Sequence, residues 1–139
     1  MGRNRQSGRD SERSRELFRD RNFAHLTTLN PDGSPQTTVL WVDEADGEIL
    51  LNIAAGRVKV ANIRRDPRVS VSLQSQRDPC TYVAVSGRAR LEENHAEDVI
   101  DSLAKKFTNQ DKFPAESRGL NERRITIRIQ PHHIYRYGY

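Results

Sequence analysis

The chain has 139 residues, the size of one domain or of one domain with a short tail. Hydrophobic residues make up 35% and charged residues 30%, which is lean for a globular protein but too apolar for general disorder. No run of about 18 apolar residues occurs and the N-terminal segment is polar, so the sequence predicts neither a membrane helix nor a secretory signal. Because Cys80 is the single cysteine, we expect no internal disulfide and no cysteine-based zinc site, in a cytoplasmic protein.

Most of the net charge of +4 lies near the N-terminus, where residues 1–15 carry five arginines and two acidic residues. A basic tail on a nearly neutral body argues against a nucleic-acid-binding domain, whose basic residues would cover one folded face. We expect residues 1–13 to form a disordered basic tail and residues 14–139 to form the folded domain. The alternative is that the tail binds an anionic partner, but we expect no nucleic-acid partner and no stable membrane association.

The first half of the domain predicts a short helix and then three strands. Ser11 or Ser14 is a suitable cap for a helix that ends near Arg21. Aromatic and β-branched residues predict strands over 23–29, 35–43 and 48–54, separated by turn signals at 30–34 and 44–47. We interpret these strands as a three-stranded antiparallel meander.

The second half alternates helices with long strands. Residues 57–65 predict a helix with Val58, Ala61 and Ile63 facing inward, ended by Asp66 and Pro67. A helix is also predicted over 95–107. Strands are predicted over 68–75, 81–91 and 123–130, the last interrupted by Pro131 and continued in extended form over 133–137. Gly87, inside a predicted strand, indicates a bulge or a barrel corner.

This order of elements predicts a mainly β protein. Six or seven largely antiparallel strands with two or three helices do not fit a doubly wound parallel sheet or a helix bundle. We expect the strands to close into a small split barrel with the helices packed outside.

Residues 52–68, NIAAGRVKVANIRRDPR, are the densest candidate for chemistry. Small residues and Gly56 lead into a helix that carries Arg57 and Lys59 in its first turn. A helix N-terminus offers free N–H donors and partial positive charge. Two cations beside it would complete a phosphate site. We expect Lys59 to be exposed there. The alternative is a solvated helix face, and the P-loop motif is absent.

Three segments, DGSPQTTVLWV, ILLNIAAGRVKVANIRRDPRVSV and YVAVSGRARL, carry a resemblance. Together they resemble the pyridoxamine 5′-phosphate oxidase-like split-barrel flavoproteins, above all the branch that uses the deazaflavin coenzyme F420. The resemblance covers roughly residues 14–137. Its most specific part is the run R-x-K-x-x-N-I-R-R-D-P-R, which extends here from Arg57 to Arg68.

The resemblance implies a set of cofactor contacts. Arg57 and Lys59 would bind the cofactor phosphate, and Gln36 and Thr38 would approach the ring from the strand after the turn at 30–34. The alternative for Gln36 and Thr38 is ordinary strand polarity. The remaining implied contacts are the backbone of Asn52, Ile53 and Ala54 along the ring. Tyr82 and Cys80 would reach the site from the strand predicted over 81–91, either within one chain or across a dimer interface. Some relatives have an aromatic residue where Cys80 stands, and a cysteine cannot stack on the ring.

Other candidate residues do not form a site. His25 lies within a strand and is expected to be structural, while the adjacent His132 and His133 point to opposite faces and cannot share a metal. His95 lies on a helix without a metal-binding motif, so we expect no metal site. Trp41 is expected to pack in the core or beside the ring, and no catalytic residue is assigned.

The resemblance therefore implies a homodimer that binds coenzyme F420 at its interface and transfers a hydride to a small conjugated or unsaturated acceptor. Such chemistry belongs to the cofactor, so no protein acid or base is required. Two alternatives remain open. One is an FMN-binding relative of the pyridoxamine-phosphate oxidases, and the other is a module that binds a flavin or deazaflavin without turnover.

Overall fold

The computed structural model describes residues 3–4, 8–119 and 122–138. These residues contain eight strands and three α-helices. The strands are β1 (Arg3–Asn4), β2 (Ala24–Leu29), β3 (Pro35–Leu40), β4 (Asp43–Ala45), β5 (Glu48–Ala54), β6 (Arg68–Gln74), β7 (Tyr82–Glu92) and β8 (Arg124–Tyr137). The helices are α1 (Gly8–Arg19), α2 (Val58–Arg65) and α3 (Ala96–Thr108), with one 3-10 turn at Ala115–Ser117.

The strands form one antiparallel sheet in the order β3-β2-β6-β7-β8-β5-β4, with β1 paired to β8. The two faces of β6 and of β7 differ, because alternate side chains in these two strands are buried. Buried aliphatic residues from β2, β5, β6, β7 and β8 meet in one core cluster. The predicted fold class, a mainly β antiparallel split barrel with outer helices, is confirmed.

The predicted three-stranded meander is wrong in its third strand. The β2–β3 hairpin forms as expected, with Gly33 at φ 86° in its turn, but β5 pairs with β4 and β8 instead of β3. β3 is an edge strand with no fully buried residue, so it offers no apolar partner for β5. The β8 strand offers β5 such an apolar partner, because Ile125 and Ile127 are fully buried opposite Ile53 and Leu51.

Gly87 lies at a bulge, as its position in the predicted strand indicated. The register between β7 and β8 shifts between Ser86 and Gly87, so that His132 is the extra residue on β8. A Cβ atom at Gly87 would lie 2.1 Å from the carbonyl oxygen of Gln130, so no other residue fits there. Pro131 is accommodated at this bulge, and β8 continues through it as one strand instead of being interrupted.

The N-terminal helix begins earlier than expected. α1 covers Gly8–Arg19, whereas the sequence predicted a start at Ser11 or Ser14. Phe18 of this helix is buried in the core cluster. The predicted tail of residues 1–13 falls partly outside the described residues, and its separation from the domain remains a prediction.

Candidate functional site

The candidate site is organised by the connection from β5 into α2. Residue Arg57 is the N-terminal cap of the helix in an extended conformation, and its side chain makes no capping hydrogen bond. The connection is tight, because the Arg57 N–H donates to the Ala54 carbonyl at 3.2 Å. The end of β5 and the first turn of α2 therefore lie directly against each other. The uncapped N–H groups of this turn are available to an anion.

The buried face of α2 differs from the prediction. Val58 and Ala61 are exposed, although the pattern placed them inward with Ile63. Lys59 and Asn62 take their place and are buried together with Val60 and Ile63. The helix thus directs one lysine and one amide into the protein and leaves a valine outside, which apolar periodicity alone does not predict.

Lys59 is the most unusual residue of the site. It is only 6% exposed, whereas we expected an exposed side chain. Among the described residues, its ammonium group has no hydrogen-bond or ion-pair partner. Burial lowers the pKa of Lys59 below its ordinary value, and the neighbouring positive charge of Arg57 lowers it further. A buried cation beside a second cation is costly without a counter-charge, so this pair is suited to bind an anion.

Asn62 connects α2 to the strand that carries Gln36. Its side-chain amide donates to Thr28 Oγ1 and to Asn30 Oδ1, both at 3.0 Å. Thr28 Oγ1 in turn donates to Gln36 Oε1 at 3.4 Å. Lys59 and Asn62 are three residues apart on one helix face. The series of hydrogen bonds from Asn62 through Thr28 therefore links Gln36 to the helix face that carries Lys59.

The rest of the specific motif anchors the helix. Arg65 donates a short hydrogen bond to the Leu29 carbonyl, and its guanidinium also donates to Asn62 Oδ1 at 3.3 Å. Asp66 forms an ion pair with Arg68 at 2.7 Å, and hydrogen bonds from Arg68 lower the pKa of Asp66 to about 2. The R-x-K-x-x-N-I-R-R-D-P-R run therefore begins with two cationic residues, Arg57 and Lys59, and its remainder has a structural role.

Gln36 and Thr38 lie on β3, which is one edge strand of the sheet. Both are half-buried, while their neighbours Pro35, Thr37 and Val39 are exposed. Thr38 Oγ1 is buried without a hydrogen-bond partner among the described atoms. A buried unpaired hydroxyl is rare in proteins, and here it is a free donor and acceptor at the sheet edge.

The end of β5 has a free backbone edge. β4 pairs only with Glu48–Leu50, whereas β8 pairs along Ile49–Ala54 on the other side. The side chain of Ile53 is buried in the core and that of Asn52 is fully hydrogen-bonded, to Ala96, Thr126 and Arg124. Any ligand contact from Asn52, Ile53 or Ala54 is therefore made chiefly through the backbone, as the resemblance implied.

Cys80 and Tyr82 do not join this group within one chain. Asn52, Thr126 and Glu92 lie in one row across β5, β8 and β7, and Tyr82 is ten residues further along β7. Ten residues correspond to about 33 Å of extended strand. Cys80 is exposed beside it.

Tyr82 belongs to an exposed tyrosine stack instead. Its ring centroid lies 5.6 Å from that of Tyr137 and 6.2 Å from that of Tyr135. Partial burial raises the pKa of Tyr82, and its two tyrosine neighbours add to the shift.

A cavity of about 390 Å³ opens beside Asn52, where the end of β3 approaches β5. Its walls include Trp41, Phe113 and Arg124, and sequence reasoning assigned none of these to a site apart from placing Trp41 near the ring. Trp41 stacks parallel on Phe107 with centroids 5.6 Å apart and meets Phe113 edge-on at 6.1 Å. The cavity is of ligand size, and its residues come from positions scattered along the chain.

The histidines and acidic residues form no metal site in the described ranges. No group of three His, Cys, Asp or Glu side chains there is arranged to hold a metal ion. None of the described helices has the length and apolar character needed to cross a membrane.

The fold and the site define a split barrel of the flavin-binding type. The sequence matches the pyridoxamine 5′-phosphate oxidase family over residues 11–137, and the chain belongs to that family. Its fold binds flavins such as FMN, and the family indicates an oxidoreductase.

Three solved structures share this fold. One, named F420 reductase, has a TM-score of 0.76 at 21% identity, covering 94% of this chain and 98% of that one. A conserved hypothetical protein from Mycobacterium tuberculosis has a TM-score of 0.72 at 25% identity, covering 96% and 86%. General Stress Protein 26 from Bacillus anthracis has a TM-score of 0.68 at 22% identity, covering 91% and 92%.

Proposed function

We propose that the protein is an oxidoreductase that uses coenzyme F420 to reduce a small conjugated or unsaturated acceptor. The observation that carries this proposal is the burial of Lys59 beside Arg57 without an anionic partner among the described residues. A phosphate-bearing cofactor supplies the missing negative charge. The buried, unpaired hydroxyl of Thr38 fits the same ligand, because it requires a hydrogen-bond partner that the described residues do not provide.

Each part of the site has a role in holding this cofactor. Arg57 and Lys59 grip the phosphate, while the free backbone edge of Asn52–Ala54 and the polar groups of Gln36 and Thr38 orient the ring. When bound, the reduced deazaflavin supplies the hydride. The protein supplies position and electrostatics, which accounts for the lack of an assigned catalytic acid or base.

The proposal includes a homodimer with the cofactor at its interface. Tyr82 begins β7 and Cys80 precedes it, whereas Asn52 lies in the row of residues that crosses the other end of β7 at Glu92. Their predicted contribution to the ring therefore requires a second copy of the chain. The exposed stack of Tyr82, Tyr135 and Tyr137 provides an aromatic surface for that copy. Two-fold symmetry would then give two equivalent sites, each built from both subunits.

FMN is the second candidate cofactor, and the family match favours it. FMN also carries a phosphate, so Arg57 and Lys59 serve both cofactors equally. The preference for F420 is supported by the fold likeness to the F420 reductase and by the run from Arg57 to Arg68.

The experiment is turnover of an acceptor panel by the purified protein with reduced F420 or with reduced FMN. Quinones, cyclic enones and nitroaromatics make up the panel, and oxidation of the cofactor is followed by absorbance. F420-dependent turnover of at least one acceptor class is expected. Turnover with FMN alone would favour the second candidate, and tight binding of F420 with no turnover would identify a non-catalytic binding module.

A further inference from the structure

Four polar side chains connect α2 to the edge strand β3 through hydrogen bonds that all run in one direction. Arg65 Nη2 donates to Asn62 Oδ1 at 3.3 Å, and Asn62 Nδ2 donates to Thr28 Oγ1 at 3.0 Å. Thr28 Oγ1 donates in turn to Gln36 Oε1 at 3.4 Å. We call these four residues the Gln36 relay.

Arg65 sets the direction of the relay. A guanidinium group carries donors only, so the oxygen of Asn62 faces it and the NH2 group of Asn62 faces Thr28. The second N–H of that group agrees with this orientation, because it donates to Asn30 Oδ1 at 3.0 Å. A hydroxyl that accepts from an amide has one proton left to donate, and that proton requires the oxygen of Gln36 and not its nitrogen. The orientation of the Gln36 amide therefore follows from an arginine that is three hydrogen bonds away.

The relay is held rigidly up to its last member. Asn62 and Thr28 are each 1% exposed. Arg65 is held by a further contact, because it also donates to the Leu29 carbonyl. Reversing one amide in such a buried network would leave polar groups without partners, so the direction of the relay is costly to change. Gln36 is the point at which this fixed direction reaches the protein surface.

Gln36 therefore presents N–H donors and keeps its oxygen inside. Its Oε1 accepts from Thr28, while its Nε2 makes no hydrogen bond with any described residue. The side chain is half-buried on the same face of β3 as Thr38, whose buried hydroxyl also has no partner among the described atoms. This face of β3 thus offers an oriented donor beside a hydroxyl. A hydrogen-bond acceptor matches it, whereas a ligand donor would place N–H against N–H.

We propose that the first three residues of the Gln36 relay are positioning residues for ligand recognition. They hold the Gln36 amide so that β3 selects a hydrogen-bond acceptor, and this acceptor is a ring carbonyl oxygen of the cofactor. The inference rests on the proposed function, in which Gln36 orients the ring. It adds the chemical identity of the ring atom that meets Gln36. The positioning residues act through Gln36 and need no contact with the ring.

The chemistry of the two candidate cofactors makes this choice of atom testable. Flavin and deazaflavin rings both carry carbonyl oxygens. The flavin ring alone has an acceptor nitrogen at position 5, where the deazaflavin ring has a C–H group. A donor that meets a carbonyl oxygen therefore supports the binding of both rings, whereas a donor that meets position 5 would support the flavin alone.

The experiment uses riboflavin and 5-deazariboflavin, which carry the two rings without a phosphate. Their binding to the cofactor-free protein is followed by fluorescence anisotropy. Gln36→Glu keeps the oxygen that Thr28 requires but replaces the donor by a second acceptor, so it should weaken the binding of both rings at least about tenfold. Thr37→Glu is the matched control. It adds the same charge on the exposed opposite face of β3 and should leave the affinity within about twofold of the wild type.

Thr28 is tested through its coupling to Gln36. Thr28→Val keeps the buried volume but removes the hydroxyl, so the Gln36 amide is free to turn and the affinity for both rings should fall roughly three- to tenfold. Thr28→Ser keeps the hydroxyl and should bind like the wild type. In a Gln36→Leu background Thr28→Val should have no further effect, because Thr28 acts on the ring only through Gln36. A merely structural role of Thr28 would lower the affinity equally in both backgrounds.

Four results would overturn the inference: no saturable binding of either ring to the wild type, equal or tighter ring binding by Gln36→Glu, an effect of Gln36→Glu on riboflavin alone, or an equal effect of Thr28→Val with and without the Gln36 amide. The wild type and Lys59→Met are titrated with F420 beside them. F420 affinity that does not depend on Lys59, with the expected pattern for the phosphate-free rings, would count against the proposed phosphate site alone. Lys59-dependent F420 binding together with any of the four results would count against the relay alone.

Discussion

Replacing Lys59 with methionine separates a binding role from a structural one. Methionine has a similar length and no charge, so it fills the buried space without a desolvation cost. One charge-assisted contact to the phosphate is lost. Such a contact contributes about 1.5–3 kcal/mol, which corresponds to a roughly ten- to a hundredfold loss of cofactor affinity.

The free energy of unfolding should change in the opposite direction. In the cofactor-free protein Lys59 is buried beside Arg57 without a partner among the described residues, so its charge destabilises the fold. Removing it should raise the stability by about 1 kcal/mol, or the Tm by roughly 3 °C at this chain length. An exposed lysine, which the sequence led us to expect, would leave the Tm unchanged.

The pH dependence of stability independently tests whether the Lys59 charge destabilises the fold. The pKa of Lys59 is lower in the folded protein than its ordinary value of 10.5. Between these two values the unfolded chain binds more protons than the folded one, so wild-type stability rises with pH across that window. Lys59→Met should lack this rise. Cofactor affinity of the wild type should instead fall over the same window, because neutral Lys59 no longer attracts the phosphate.

Thermal unfolding from pH 7 to pH 10 and cofactor titration together measure these effects. Lys112→Met is the control, because Lys112 is exposed in the loop after α3 and should change neither quantity. A Lys59→Met protein that binds the cofactor like the wild type and melts at a lower temperature would refute the reasoning.

Three other substitutions test the fold and the shared site. Gly87→Ala places a methyl group against the Gln130 carbonyl and should cost about 3 kcal/mol in urea unfolding, and a change below 1 kcal/mol would contradict the bulge geometry. Asn62→Ala leaves Thr28 and Asn30 without their donor and should cost about 1–3 kcal/mol by the same assay, while unchanged stability would argue against the anchor. Tyr82→Ala should weaken F420 binding, and refolding it together with Lys59→Met should restore one intact site per mixed dimer. No recovery in the mixture would count against a site built from two subunits.

The strands were predictable because their periodicity is local. Val69, Val71 and Leu73 alternate with polar residues, and all three are buried in β6 as this pattern requires. The partner of β5 was not predictable in the same way. Pairing between β5 and β8 joins residues seventy to eighty positions apart, and it is selected by the core that residues such as Ile53 and Ile125 share.

The candidate site, too, could be predicted only in part. The residue types and spacing of Arg57 and Lys59 predicted an anion site, but apolar periodicity assigned Val58 to the interior and Lys59 to the surface. Under the proposed function, the ligand phosphate supplies the partner that a buried lysine needs. The cavity at Arg124 could not be predicted from local pattern, since its walls come from β3, β5, α3, β8 and the segments beside them.

The central claim is that Arg57 and Lys59 hold the phosphate of a deazaflavin cofactor. Titration of the cofactor-free protein with F420 and with FMN, beside the Arg57→Gln/Lys59→Met double variant, tests it most directly. Saturable F420 binding at least tenfold tighter than FMN binding is expected, with a loss of about a hundredfold or more in the double variant. Equal F420 affinity in the wild type and the double variant, or binding of FMN alone, would contradict the account.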